Sequence, residues 1–83
     1  MAEIAWGPWT LSLGDPERVA QFRTLATLAR VFLYRDDMLV HELLLAETDD
    51  TAAARAWDML HERPALLRRK ILATFGVMTY PGA

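Results

Sequence analysis

The sequence contains no cysteine, which excludes disulfide bonds and thiolate metal sites. Its longest apolar runs, at 31–34 and 43–46, are far shorter than the roughly 18 residues that a membrane-spanning helix needs. The first residues also lack the basic segment and the apolar segment of a signal peptide. With these signals missing, we expect a cytoplasmic protein.

No strong charge of either sign is present: nine basic and eleven acidic residues give a net charge of −2. That balance provides no long-range attraction to nucleic acid or to an anionic membrane. Hydrophobic residues make up 53% of the chain, yet 83 residues can bury only a little over half of their unfolded surface. We therefore expect part of the apolar surface to contact another subunit or another protein. Eight of the nine basic residues are arginine, which suggests a GC-rich, bacterial genome.

The chain divides into an extended arm at 1–14, a helical domain at 15–76 and a tail at 77–83. Near the start of the arm, 6–9 is a turn signal, and apolar residues then alternate with polar ones as in a strand. Residues 77–80 are a candidate pairing partner for that strand. The arm carries Trp6 and Trp9, which either cover the end of the core or are exchanged onto a partner subunit.

The densest apolar stretch runs from 15 to 47. Asp15 suits a helix N-cap and Pro16 suits the first helical position. At 100° per residue one sector of the first helix is apolar. It comprises Val19, Phe22, Leu25, Ala26, Leu28, Ala29, Phe32 and Leu33.

The acidic pair Asp36 and Asp37 interrupts this stretch, because both fall inside the sector to which the later apolar residues return. An unpaired buried carboxylate costs several kcal/mol. We therefore predict a break near 35–37, with one of the two aspartates capping a second helix that buries Leu39, Val40, Leu43, Leu44 and Ala46. The alternative is one helix of over 30 residues with a buried aspartate, in an elongated dimer.

Two further helices are predicted, at about 50–62 and 64–75, separated by Arg63-Pro64 and ended by Gly76. The third helix turns Ala53, Ala56, Trp57 and Leu60 inward, and the fourth turns Leu67, Ile71, Leu72 and Phe75 inward. Arg68 also falls in the apolar sector of the last helix. A buried ion pair between Arg68 and Asp36 would satisfy both misplaced charges.

Two groups of residues have the chemistry of a site. His41 and His61 each follow an aspartate at helical spacing, but the further inward carboxylates of a metal site are missing, so no metal ion or other cofactor is predicted. The segment 51–75 resembles a helix-turn-helix in outline. It carries Arg63, Arg69 and Lys70, which are candidates for contacts with nucleic acid.

These patterns predict an all-α fold, a small array or bundle of three to four helices with an extended N-terminal arm. The favoured function is protein–protein interaction, as a self-associating accessory, adaptor or regulatory subunit rather than an enzyme. A DNA-binding regulator is the alternative. The residues predicted to bind a partner are Trp6, Trp9, Val31, Tyr34, Met38 and Leu45.

Overall fold

A computed structural model describes residues 6–35 and 37–80, and within them the fold is all-helical with no strand. A one-turn 3₁₀ helix, Gly7–Thr10, precedes four α-helices. The α-helices are α1 (Pro16–Phe32), α2 (Met38–Leu45), α3 (Asp50–Glu62) and α4 (Ala65–Thr79). The predicted all-α class, with a short segment before the first helix, is confirmed.

Helix α1 starts where the sequence predicts it. The carboxylate of Asp15 accepts a hydrogen bond of 2.9 Å from the backbone N–H of Glu17, and Pro16 occupies the first helical position, where no N–H is needed. Five members of the predicted apolar sector are buried, and Val19, Phe32 and Leu33 are half-buried at its ends.

The chain breaks after α1, as predicted. Helix α1 ends at Phe32, and the carboxylate of Asp37 caps α2 by accepting a 2.9 Å hydrogen bond from the N–H of Leu39. One helix over 15–47 would be about 50 Å long, whereas the largest extent of the molecule is 31 Å. The single-helix alternative is wrong. Asp36 and its predicted burial or capping lie outside the described residues.

The N-terminal segment corrects one prediction. Residues 7–10 form a 3₁₀ helix instead of a strand, and 77–79 belong to α4, so the two segments do not pair. Gly7 has a positive φ of +55° and lies against the ring of Phe75, which folds the chain back onto the core. Tertiary packing of the aromatic residues therefore overrides the alternating pattern.

Helices α3 and α4 are separated by a sharp bend. Asp49 caps α3 through hydrogen bonds from the N–H groups of Thr51 and Ala52. Arg63 is extended, as a residue before proline should be, and α4 begins after Pro64.

The predicted end of the last helix is wrong. Gly76 does not terminate α4, which continues to Thr79, and the carbonyl of Gly76 accepts a helical hydrogen bond from Tyr80. Residues 77–79 thus belong to the helical domain and not to a tail, while 81–83 lie outside the described residues.

We expect Gly76→Ala to raise the free energy of unfolding by about 0.5–1 kcal/mol, because glycine inside a helix loses more backbone entropy than alanine. A Cβ at this position meets no atom within 4 Å. Thermal unfolding followed by circular dichroism should show a midpoint about 5 °C higher. Gly7→Ala is the matched contrast, since its positive φ makes the same change unfavourable; equal effects at both glycines would contradict this reasoning.

Helix α1 is central to the arrangement. It packs against α2 and α4, α2 packs against α3, and α3 touches α4 only lightly. The buried core is drawn from all four helices, with Phe22, Leu25, Leu39, Leu43, Leu60, Ile71 and Phe75 as its largest members. In the part of the chain that the structure describes, no helix is long and apolar enough to cross a membrane.

Candidate interaction surface

Helix α2 is apolar on both of its sides. Its inner side buries Leu39, Val40 and Leu43. Its outer side exposes Leu44, Leu45 and Met38, with 43%, 53% and 60% of their surface accessible. Leu44 is an exception to the predicted burial. Large apolar side chains of a well-anchored helix are normally covered, so the outer side, hereafter the α2 face (Met38, Leu44, Leu45), is an uncovered apolar surface, with the exposed His41 among its residues.

Two further predicted contact residues lie at the C-terminal end of α1. Val31 and Tyr34 are 70% and 81% exposed, and the turn that follows them leads directly into Met38. Because α2 folds back along α1, Leu45 lies at the other end of α2, about 10 Å from Met38 along the helix axis. Val31, Tyr34, Met38 and Leu45 are all exposed. Because α2 folds back, however, they do not form the continuous stripe that a single helix would give.

Helix α4 has a second exposed apolar face. Leu66, Ala73 and Val77 recur at helical spacing along its outer side, and Arg69 and Lys70 lie among them. Leu66 and Val77 are 62% and 74% exposed. This α4 face (Leu66, Arg69, Lys70, Ala73, Val77) combines apolar and cationic side chains. It was not singled out from the sequence, although the spacing of its apolar residues was visible there.

Trp6 and Trp9 pack on the core of their own chain. The ring of Trp9 meets Phe22 and Trp57 edge to face, with centroids 5.0 and 4.9 Å away, and its indole N–H donates a 2.7 Å hydrogen bond to the carbonyl of Ala53. Trp6 lies 5.2 Å from the ring of Phe75. The sequence left two roles open for Trp6 and Trp9: covering the end of the core, or exchange onto a partner subunit. In the structure both side chains cover the core of their own chain.

Among the residues that the structure describes, the most buried charged one is Arg18, which is 2% exposed. Its guanidinium donates to the carbonyl of Ala46 from two nitrogens, at 2.8 and 3.1 Å, and to the carbonyl of Leu11 at 2.9 Å. It also lies 3.0 Å from the carboxylate of Asp50. One side chain in the first turn of α1 thus connects the N-terminal segment, the end of α2 and the start of α3.

The contacts of Arg18 fix the C-terminal end of α2 against α1. Ala46 is the C-cap of α2, so its carbonyl belongs to the negative end of that helix dipole, which a cation stabilises. Fixing that carbonyl against α1 holds the α2 face outward. Sequence reasoning missed Arg18, although it precedes Phe22 by one helical turn and so falls within the apolar sector.

Two ion pairs reinforce the same packing. Arg23 donates to Glu47 at 3.0 Å, and Arg55 of α3 donates to Glu42 of α2 at 3.1 Å. The hydrogen bonds to Glu47, together with its charge, raise the pKa of Arg23 above its usual value. The two pairs neutralise Glu42 of α2 and Glu47 just after it. Neither pair includes a residue of the α2 face.

Charge is segregated along the chain. Residues 37–62 contain seven acidic residues and one basic residue, whereas 63–83 contain four basic residues and no acidic one. In the structure Asp49 and Asp50 are exposed just beyond the C-terminal end of α2, and Arg69 and Lys70 are exposed on the α4 face. The small net charge therefore conceals an acidic stretch and a basic stretch of the chain.

The residues predicted to contact nucleic acid are divided by the structure. Arg63 is half-buried and pairs with Asp37, whereas Arg69 and Lys70 are exposed. Arg68 donates to the carbonyl of His61 at 3.1 Å, at the C-terminal end of α3. This hydrogen bond satisfies the guanidinium of Arg68 without Asp36. Because Asp36 lies outside the described residues, the predicted ion pair between the two stays a prediction.

The histidines make local contacts. His61 packs on the ring of Trp57, one turn earlier, and its Nδ1 lies 2.8 Å from the carbonyl of that residue. His41 is exposed on α2. Within 6–35 and 37–80 no three potential ligands from His, Asp and Glu are grouped as a metal site.

The sequence matches no protein-family model, and comparisons with curated proteins and with solved structures gave no significant match.

Proposed function

We propose that this chain is a small helical interaction subunit that associates with itself, and that the α2 face is a contact surface. The observation that carries the proposal is the distribution of apolar side chains around α2. Three of its eight residues are large hydrophobic side chains at least 43% exposed, although three others already anchor the helix in the core. Uncovered apolar surface of this kind marks interaction sites in small proteins.

The arrangement of α2 supports the proposal further. Its cap at Asp37, the contacts of Arg18 with its last carbonyl and its ion pair with α3 fix it on the core. A surface held in one conformation loses little entropy when it binds. Val31 and Tyr34, which are exposed shortly before the start of α2, are included in the proposed contact.

We expect the double variant Met38→Gln, Leu45→Gln to weaken self-association at least tenfold, because it replaces two apolar side chains of the contact with polar ones. Both side chains are more than half exposed, so folding should be nearly unaffected. Light scattering coupled to size exclusion, over a dilution series, measures the change. The mass of the monomer is 9.4 kDa.

Thr27→Gln, Ala54→Gln is the matched control, since it places the same side chain at two exposed positions of α1 and α3. This control should associate like the wild type. A wild type that stays at 9.4 kDa up to millimolar concentration would refute self-association, and an unchanged double variant would refute the α2 face as the contact.

A DNA-binding regulator is the second candidate, favoured by the exposure of Arg69 and Lys70 on one face of α4. Binding of this kind should weaken steeply with salt, because released counterions drive it. Retention of the wild type on immobilised duplex DNA, lost in Arg69→Gln, Lys70→Gln but kept in the α2 variant, would support this function over the first.

A further inference from the structure

We infer that the occupant of the α2 face is the α4 face of a second copy, so that copies join head to tail. This inference rests on the proposed self-association and names the second surface. Helices α2 and α4 both pack on α1 and have no substantial contact with each other. The α2 face and the α4 face share no residue, so one copy can use both faces at once.

Part of the α4 face matches the α2 face in length. Met38 and Leu45 are seven residues apart on α2, and Lys70 and Val77 are seven apart on α4, so both spans are about 10 Å, and Leu66 lies one turn beyond. An antiparallel pairing places Val77 beside Met38 and Lys70 beside the end of α2. Ala73 then lies at the centre of the contact, where a small side chain lets two helices approach closely.

The two faces also match in charge. Asp49 and Asp50 lie just beyond the C-terminal end of α2, and both are exposed. The same antiparallel pairing brings Arg69 and Lys70 of the second copy to that end. The two carboxylates can attract these cations, because Asp49 is exposed and Asp50 stays 71% exposed although it pairs with Arg18. Two α2 faces pairing with each other would lack this match, because residues 37–54 contain no Lys or Arg.

A head-to-tail contact has a consequence that a symmetric one lacks. Because each copy keeps one free face of each type, association continues beyond the dimer unless a ring closes. The average mass should therefore rise past twice 9.4 kDa as concentration increases. Salt should weaken the contact several-fold, since it screens the opposite charges.

Mixing two variants tests the inference. The first, Met38→Gln, Leu45→Gln, blocks the α2 face and leaves the α4 face intact. The second, Ala73→Gln, Val77→Gln, blocks the α4 face and leaves the α2 face intact. Each variant alone should be monomeric, or at least tenfold weaker in association than the wild type. Their equimolar mixture should form a 1:1 dimer and nothing larger, because only one competent contact remains.

The possible results separate the two proposals. If the α4 variant alone still dimerises like the wild type, or if salt strengthens the wild-type contact, the α2 face pairs with itself and the head-to-tail inference is overturned. A wild type that is monomeric at every concentration overturns self-association as well. Monomeric variants whose mixture also stays monomeric would contradict the pairing of the two faces. Circular dichroism of each variant confirms that it is folded.

Discussion

Arg18→Ala should lower the free energy of unfolding by about 3–4 kcal/mol. The substitution leaves the carbonyls of Ala46 and Leu11 without their guanidinium donor, and an unsatisfied buried acceptor costs about 1–3 kcal/mol. It also removes the stem of the side chain from a site that is 2% exposed. A domain of this size has about 5–15 kcal/mol in total. Urea unfolding followed by circular dichroism measures the loss.

Two variants separate the carbonyl contacts from the ion pair. Asp50→Asn should cost no more than about 1 kcal/mol, because the carboxylate is 71% exposed and such pairs contribute little. Arg18→Lys should recover only part of the loss, since an ammonium group lacks the fork that reaches both carbonyls. If Asp50→Asn were as damaging as Arg18→Ala, the ion pair and not the carbonyls would be the source of stability.

Trp9→Ala should cost about 3 kcal/mol, the second-largest effect that we expect. It removes a ring that packs between Phe22 of α1 and Trp57 of α3, and it leaves the carbonyl of Ala53 without its indole donor. Because these contacts are made within one chain, the loss measured by urea unfolding should be the same at low and high protein concentration.

Trp9→Phe is the matched variant, since it keeps an aromatic ring but has no N–H. We expect it to cost about 1 kcal/mol, through the lost indole hydrogen bond and the smaller ring, because the carbonyl of Ala53 lies inside α3 and keeps its helical donor. A destabilisation that appears only at concentrations where the protein self-associates would contradict the intramolecular arrangement and would favour an arm exchanged between subunits.

The helix starts were predictable because their causes are local. Asp15 and Pro16 define the start of α1, and Pro64 forces the bend before α4. The break before α2 followed from the cost of burying a carboxylate, and Asp37 does cap that helix. In each case the residues that decide the structure are within a few positions of the effect.

The errors arose where distant residues decide. Gly76 is a local stop signal, yet α4 continues past it. The N-terminal segment has strand-like alternation, yet the contacts of Trp9 with α1 and α3 select a 3₁₀ turn. Arg18 finds its main acceptor 28 residues away, at Ala46. The helical wheel drawn over 15–47 also treated α1 and α2 as one continuous helix. It therefore placed Val31 and Leu45 on one stripe, although α2 folds back along α1.

The apolar character of α2 has a consequence for the unfolded chain. Residues 39–45 include five leucine or valine side chains and no proline, a composition that is prone to stack into intermolecular β-structure. Acidic pairs flank this segment, Asp36-Asp37 before it and Asp49-Asp50 shortly after it. Such charges act as gatekeepers, because stacked copies would bring them together. The carboxylates that cap α2 and α3 in the folded protein thereby also oppose aggregation before folding is complete.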